Sequence, residues 1–99
     1  MDVRHDDDDL ARLEADPDYT AGLGVKLVRK YRRVLNTVRG VSNETGLYKH
    51  VGLHFERLKG DRQQQRSIRL VGGQRLIVEI EERPGGNCMV IKGIENYHK

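Results

Sequence analysis

Ninety-nine residues, 36% hydrophobic and 33% charged with a net charge of +3, allow one modest core in a single domain spanning 1–99, and not two. Trp is absent and Phe occurs once, so Leu, Ile, Val and Tyr must fill that core. The lone cysteine, Cys88, excludes an internal disulfide; no apolar run has the length of a membrane span or the form of a secretory leader, so the expectation is a cytoplasmic protein with no membrane association.

The charges are unevenly spread. Asp2, Asp6 to Asp9, Glu14, Asp16 and Asp18 make residues 1–20 acidic, whereas 26–75 is strongly basic. Such asymmetry fits a polyanion partner on one face, and it equally fits a solvated surface that keeps a small domain soluble.

Met1 to Arg4 can form a short edge strand. The acids that follow precede Leu10-Ala11-Arg12-Leu13, and acids at a helix start meet the positive end of the macrodipole while one Asp can cap it. The pattern predicts a short helix over 8–15, stopped by Pro17. A metal site is the poorer reading of the acid run, because four consecutive Asp cannot all face one ion from a helix. A longer helix is predicted next: Leu23, Leu27, Val28, Tyr31, Val34, Leu35 and Val38 recur at helical spacing, and Gly40 is a natural stop. Lys26, Arg29, Lys30, Arg32, Arg33 and Arg39 occupy its other positions with no acid among them. That face is either solvated or a surface for an RNA backbone or an acidic partner. Residues 42–46 read as a loop or one helical turn.

From Leu53 the period changes to two, placing Leu53, Phe55 and Arg57 on one side and His54, Glu56 and Leu58 on the other. Gly60-Asp61 marks a turn and 63–65 a polar loop. Arg66 to Val71 alternates as a strand, Gly72-Gly73 signals a two-residue hairpin, and Gln74 to Glu82 pairs back with Leu76, Val78 and Ile80 on one face. After Pro84-Gly85-Gly86, the nearly continuous apolar run from Cys88 to Ile94 reads as a central strand, with Cys88 a small core hydrophobe. The predicted class is α+β, with two N-terminal helices packed on an antiparallel sheet of about four strands.

Arg69 and Arg75 flank the hairpin, so pairing brings their guanidinium groups close. Two near arginines repel unless an anion lies between them, and the planar fork of Arg suits phosphate; Lys59 adds a point charge. Ordinary surface arginines are the alternative. His54 and Glu56 share a strand face, and either can serve as a general base. Tyr97 and His98 follow the last strand; histidine titrates near neutrality, and tyrosine can bond a phosphate or stack on a base, although residues so near a terminus are often mere tail. His50 and His54 have helical metal-pair spacing, but Gly52 and Phe55 argue for a strand there, and no metal is expected.

Four segments, Leu58-Lys59-Gly60-Asp61-Arg62, Ser67-Ile68-Arg69, Gly73-Gln74-Arg75-Leu76-Ile77 and Asn96-Tyr97-His98, occur in an order that resembles the HigB branch of the RelE/ParE toxin superfamily. The second half of the chain carries this resemblance by motif and the first half only by arrangement. The resemblance implies a small sheet packed on two helices, and a ribosome-dependent mRNA endonuclease that needs no metal or cofactor. It further implies silencing by a HigA-like antitoxin with a DNA-binding helix-turn-helix, and rRNA contacts through the basic helix 26–39. By the same resemblance Arg75 would hold the scissile phosphate, with Lys59, Arg62 and Arg69 in support. Tyr97 and His98 would orient substrate and move protons. Asn96 stands where the family usually has Asp, and Gln74 where it usually has Trp. Glu56 aligns with the acid-base position some relatives fill with His, and His54 is the other candidate. A gyrase-poisoning inhibitor of the same fold, or an RNA- or ribosome-binding module without catalysis, are the alternative functions.

Overall fold

The structure, a computed structural model, describes residues 1–96. Its elements run β1 (Asp2–His5), α1 (Asp8–Ala15), α2 (Val25–Arg39), α3 (Glu44–Lys49), β2 (Glu56–Arg57), β3 (Gln65–Arg69), β4 (Gln74–Glu81) and β5 (Cys88–Asn96), with 3₁₀ turns at Val51–Leu53 and Gly60–Arg62. The class is α+β as expected, with differences in detail.

The sheet has five strands in the order β1-β5-β4-β3-β2 and is mixed. β2, β3, β4 and β5 pair antiparallel, whereas β1 pairs parallel to β5, with Asp2 opposite Cys88 and His5 opposite Ile91. The expectation of about four antiparallel strands is corrected by that edge. A strand as apolar as β5 needs partners on both sides, and β1 closes its open flank after the long crossover that a parallel pair requires. β5 is therefore interior, but β4 occupies the middle of the sheet.

Asp7 caps α1, its carboxylate accepting from the Leu10 N–H at 3.0 Å. α2 ends at Gly40 as its periodicity requires. The segment read as a loop or single turn is a third helix, begun by Asn43 accepting from the Gly46 N–H, so the helices are not confined to an N-terminal pair. One face of the sheet carries the core: Leu13 of α1, Tyr31, Leu35 and Val38 of α2 and Leu47 of α3 meet Ile68, Leu76, Val78, Met89 and Ile91. Tyr31 is fully buried and donates its hydroxyl to the Leu10 carbonyl at 2.9 Å. Burial pushes its titration well above the ordinary tyrosine range.

The predicted strand from Leu53 is mostly absent. Val51–Leu53 is a 3₁₀ turn, His54 is left-handed at φ 47°, and only Glu56 and Arg57 pair. Leu53 and Phe55 are both buried, so apolar alternation is real there, but it comes from a turn tucking two side chains inward. Ile77 and Val90 are buried without belonging to the core cluster, which gives the opposite face of the sheet a small apolar floor, and the buried Ser67 lies opposite Ile77 there.

Candidate functional site

Cross-strand register assembles that opposite face. Arg69 on β3 lies opposite Arg75 on β4, and Arg75 lies opposite Glu95 on β5. The next row holds Glu56, Ser67, Ile77 and Gly93 in successive register. Directly paired residues point to one side of a sheet, so Glu56, Arg69, Arg75 and Glu95 share a face. The hairpin that sets this register closes with the Gln74 N–H donating to Val71 O and the Leu70 N–H donating to Gln74 O. Gly72 sits at φ 62°, a conformation that favours glycine. The connection is thus one residue longer than a two-residue loop, and that residue sets the register: a Gly72-Gly73 loop alone would pair Arg69 with Leu76, whereas the three-residue loop 71–73 sets it opposite Arg75.

The β2–β3 connection brings the second set of bases. The Leu58 N–H donates to Gln65 O at 3.1 Å, closing a loop around the Gly60–Arg62 turn. Gly60, at φ 70°, reverses the chain between Lys59 and Arg62. Two adjoining depressions result. A small one of about 60 Å³, room for a few waters or one small anion, is lined by Leu58, Arg62, Ser67, Arg75, Ile77, Glu95 and Asn96. A wider one is lined by Glu56, Arg57, Leu58, Lys59 and Arg62. Leu58 and Arg62 belong to both.

Of the residues singled out in the sequence, Glu56, Lys59, Arg62, Arg75 and Asn96 line these depressions, and Arg69 adjoins them through its pairing with Arg75. His54 lines neither one. It does not share a strand face with Glu56, because it lies in the left-handed turn before β2. Tyr97 and His98 lie outside the described residues. Arg62 is engaged: its fork donates to both carboxylate oxygens of Glu95, at 2.9 and 2.8 Å, and its Nε donates to Gln65 Oε1 at 2.8 Å.

Two residues of consequence were not singled out. Glu95 immediately precedes the Asn96-Tyr97-His98 segment, and its signal is register, being the acid that faces Arg75 once β4 and β5 pair. Arg66 is buried, donates to the Gln63 and Gln65 carbonyls and lies 3.9 Å from Glu44. The parity that turns Ile68 and Leu70 inward turns Arg66 inward too, so it anchors the β2–β3 loop from within.

The basic helix α2 divides. Arg32 is spent on α1, donating to the carbonyls of Leu13, Asp16 and Tyr19 at 2.9–3.0 Å. Arg39 forms a two-pronged pair with Glu14 at 2.7 and 2.9 Å. That bond holds the Glu14 carboxyl below its ordinary range. Lys26, Arg29, Lys30 and Arg33 instead line a shallow basic cleft with Val71, and Lys30 and Arg33 continue it toward Thr37, His50 and Leu53. Among the described residues, no three His, Cys, Asp or Glu side chains gather as a metal site would require, and no helix is long and apolar enough to cross a membrane.

No protein-family model matches the sequence, and no curated protein matches it either. A solved structure does match in shape: a YoeB/ParE toxin from Agrobacterium tumefaciens, at a TM-score of 0.58 and 14% identity, with all of both chains covered. The chain has the fold of that toxin. At this identity the likeness is one of architecture, and it covers the helical half as fully as the sheet.

Proposed function

We propose that this protein is the toxin of a type II toxin–antitoxin system and cleaves mRNA on the ribosome. The observation that carries the reading is the row Arg69–Arg75 beside Arg62, Lys59 and Glu56, concave and basic, on a fold shared with a bacterial toxin. The reaction is transesterification. The ribose 2′-oxygen bonds to the adjacent phosphorus, the bond from phosphorus to the 5′-oxygen breaks, one proton leaves the 2′-hydroxyl and one reaches the departing oxygen. Arg75 holds the scissile phosphate, supported by Arg69 and Lys59, because guanidinium forks stabilise charge gathering on the phosphate oxygens by about 3 kcal/mol per well-aimed donor. Glu56 is the acid-base group of first choice, since it shares the arginine face by register. Tyr97 and His98 supply the remaining proton transfer, with Asn96 fixing the end of β5. Alignment by the ribosome adds the positioning that such a shallow site does not provide alone. The partners are ribosome-bound mRNA, rRNA along the α2 cleft, and a HigA-like antitoxin with a helix-turn-helix.

Primer extension on mRNA from cells expressing the protein tests this reading. New 5′ ends within translated codons are expected, and they should vanish with Arg75→Ala or His98→Ala while the purified variants remain folded. Full growth arrest by both variants would reject the assignment. The second reading is a non-enzymatic gyrase inhibitor, favoured by the ParE half of the structural neighbour's name. It predicts gyrase-dependent DNA breaks and uncut mRNA. Intact mRNA with retained ribosome binding would indicate instead a module that binds without cutting, the reading to which Gln74 and Asn96 lend weight.

A further inference from the structure

Arg62 has the geometry of a phosphate ligand, yet its fork is already filled. Both of its terminal nitrogens donate to the two oxygens of Glu95, and Nε is taken by Gln65. Glu95 in turn stands opposite Arg75 in the β4–β5 register, and Arg62, Arg75 and Glu95 line the same small cavity. A carboxylate thus lies beside two guanidinium groups, in the place and with the two-oxygen geometry that a bound phosphodiester would present.

We propose that Glu95 is a built-in competitor for the RNA phosphate, which must displace it from Arg62 to dock. This inference rests on the reading of the outer face as an RNA-phosphate site. The exchange is feasible because the pair is not buried: Arg62 and Glu95 side chains retain 43% and 50% exposure, and solvent-exposed ion pairs are weak. A phosphodiester carries the same single charge as the carboxylate it replaces, so Arg62 changes partners without changing its ionic state. The displaced carboxylate stays on the same face as the phosphate and repels it. Free RNA therefore binds poorly, whereas RNA presented at high effective concentration, as by a macromolecular assembly, overcomes the competition. Glu95 acts here through Arg62 and sets substrate access; no proton transfer is assigned to it.

The test is fluorescence anisotropy of the full-length protein with a short, labelled, fully 2′-O-methylated single-stranded RNA, which cannot be cut, over a series of KCl concentrations. Glu95→Gln keeps the side chain's size and removes its charge. It should tighten binding by up to about fivefold and steepen the dependence of log affinity on log salt by up to about 0.7, one added phosphate contact on a single strand. Glu95→Ala should give the same gain. Combining either change with Arg62→Ala should remove most of it, leaving only the relief of direct repulsion. Unchanged or weaker binding by both Glu95 variants, or a gain undiminished by Arg62→Ala, would overturn the proposal. Arg75→Ala separates the two layers of the argument. If it weakens RNA binding while the Glu95 variants bring no gain, the competitor alone is rejected; if it leaves binding unaltered, the phosphate site is rejected and the competitor with it.

Discussion

The arginines of the helical half and those of the sheet's outer face are the same residue type in different employment. On the helices, Arg32 is consumed by three carbonyls at the end of α1, and Arg39 by Glu14. The acids of the N-terminal stretch are similarly occupied: Asp7 caps α1, Asp9 accepts from the Tyr19 hydroxyl, and Asp6 pairs with Lys92 and Arg4. On the sheet, Arg69 and Arg75 are aligned side by side by hairpin register, an arrangement that like charges disfavour unless it serves an anion. The lesson is that basic composition does not identify a binding surface. What separates scaffold from site is where a guanidinium is placed: Arg32 and Arg39 are held against α1, whereas Arg62 and Arg75 line one cavity on the outer face of the sheet, together with Glu95.

Arg75→Ala is the sharpest way to break the comparison. Removing a well-aimed donor to a developing oxyanion should lower cleavage at least about 100-fold in a translating extract, with the circular dichroism of the fold retained. Arg32→Ala should do the reverse: destabilise the protein by about 2–3 kcal/mol through orphaned carbonyls at the α1 end, read by urea unfolding. The fraction still folded should cleave normally. Equal effects of the two variants on both measurements would erase the distinction.

Acidification probes the scaffold side. Burial lowers the His5 pKa, assisted by the charge of Arg39 and opposed by Glu14 and Asp7. The hydrogen bond from Arg39 lowers that of Glu14 against its own desolvation. Each group binds fewer protons folded than unfolded just below its ordinary value, near 6.5 for His5 and 4.5 for Glu14. Their contributions are therefore complete above those values and are lost as the pH falls through the folded ones. The thermal midpoint should decline first in the histidine window and then in the carboxylate window. His5→Gln should flatten the upper part of that decline and Glu14→Gln the lower; a profile unaltered in both variants would contradict this. The smallest effect is expected on the α2 cleft. Lys26→Gln with Lys30→Gln should leave unfolding within about 0.5 kcal/mol of wild type while reducing the salt dependence of ribosome binding by about 0.7 per lost phosphate contact. An unchanged salt slope would remove the cleft from the proposed interface.

The local elements were legible in the chain itself. The acid-capped α1, the 3.6-residue stripe of α2, the alternation of β3 and β4 and the apolar run of β5 are each determined by neighbours within a few residues, where propensity and periodicity act. The glycine turn between β3 and β4 was legible for the same reason, but its length was not: a two-residue loop would have set Arg69 opposite Leu76, and the third loop residue is what pairs it with Arg75. Tertiary structure decided what depends on distant partners. It set the parallel seat of β1 on β5, the turn that removes His54 from the strand carrying Glu56, the inward course of Arg66, and the choice of Arg32 and Arg39 as scaffold. It also decided that Glu95 closes on Arg62 across 33 residues of chain. A charge's role is fixed by the acceptor it meets in space, and residue spacing along the chain does not contain that information.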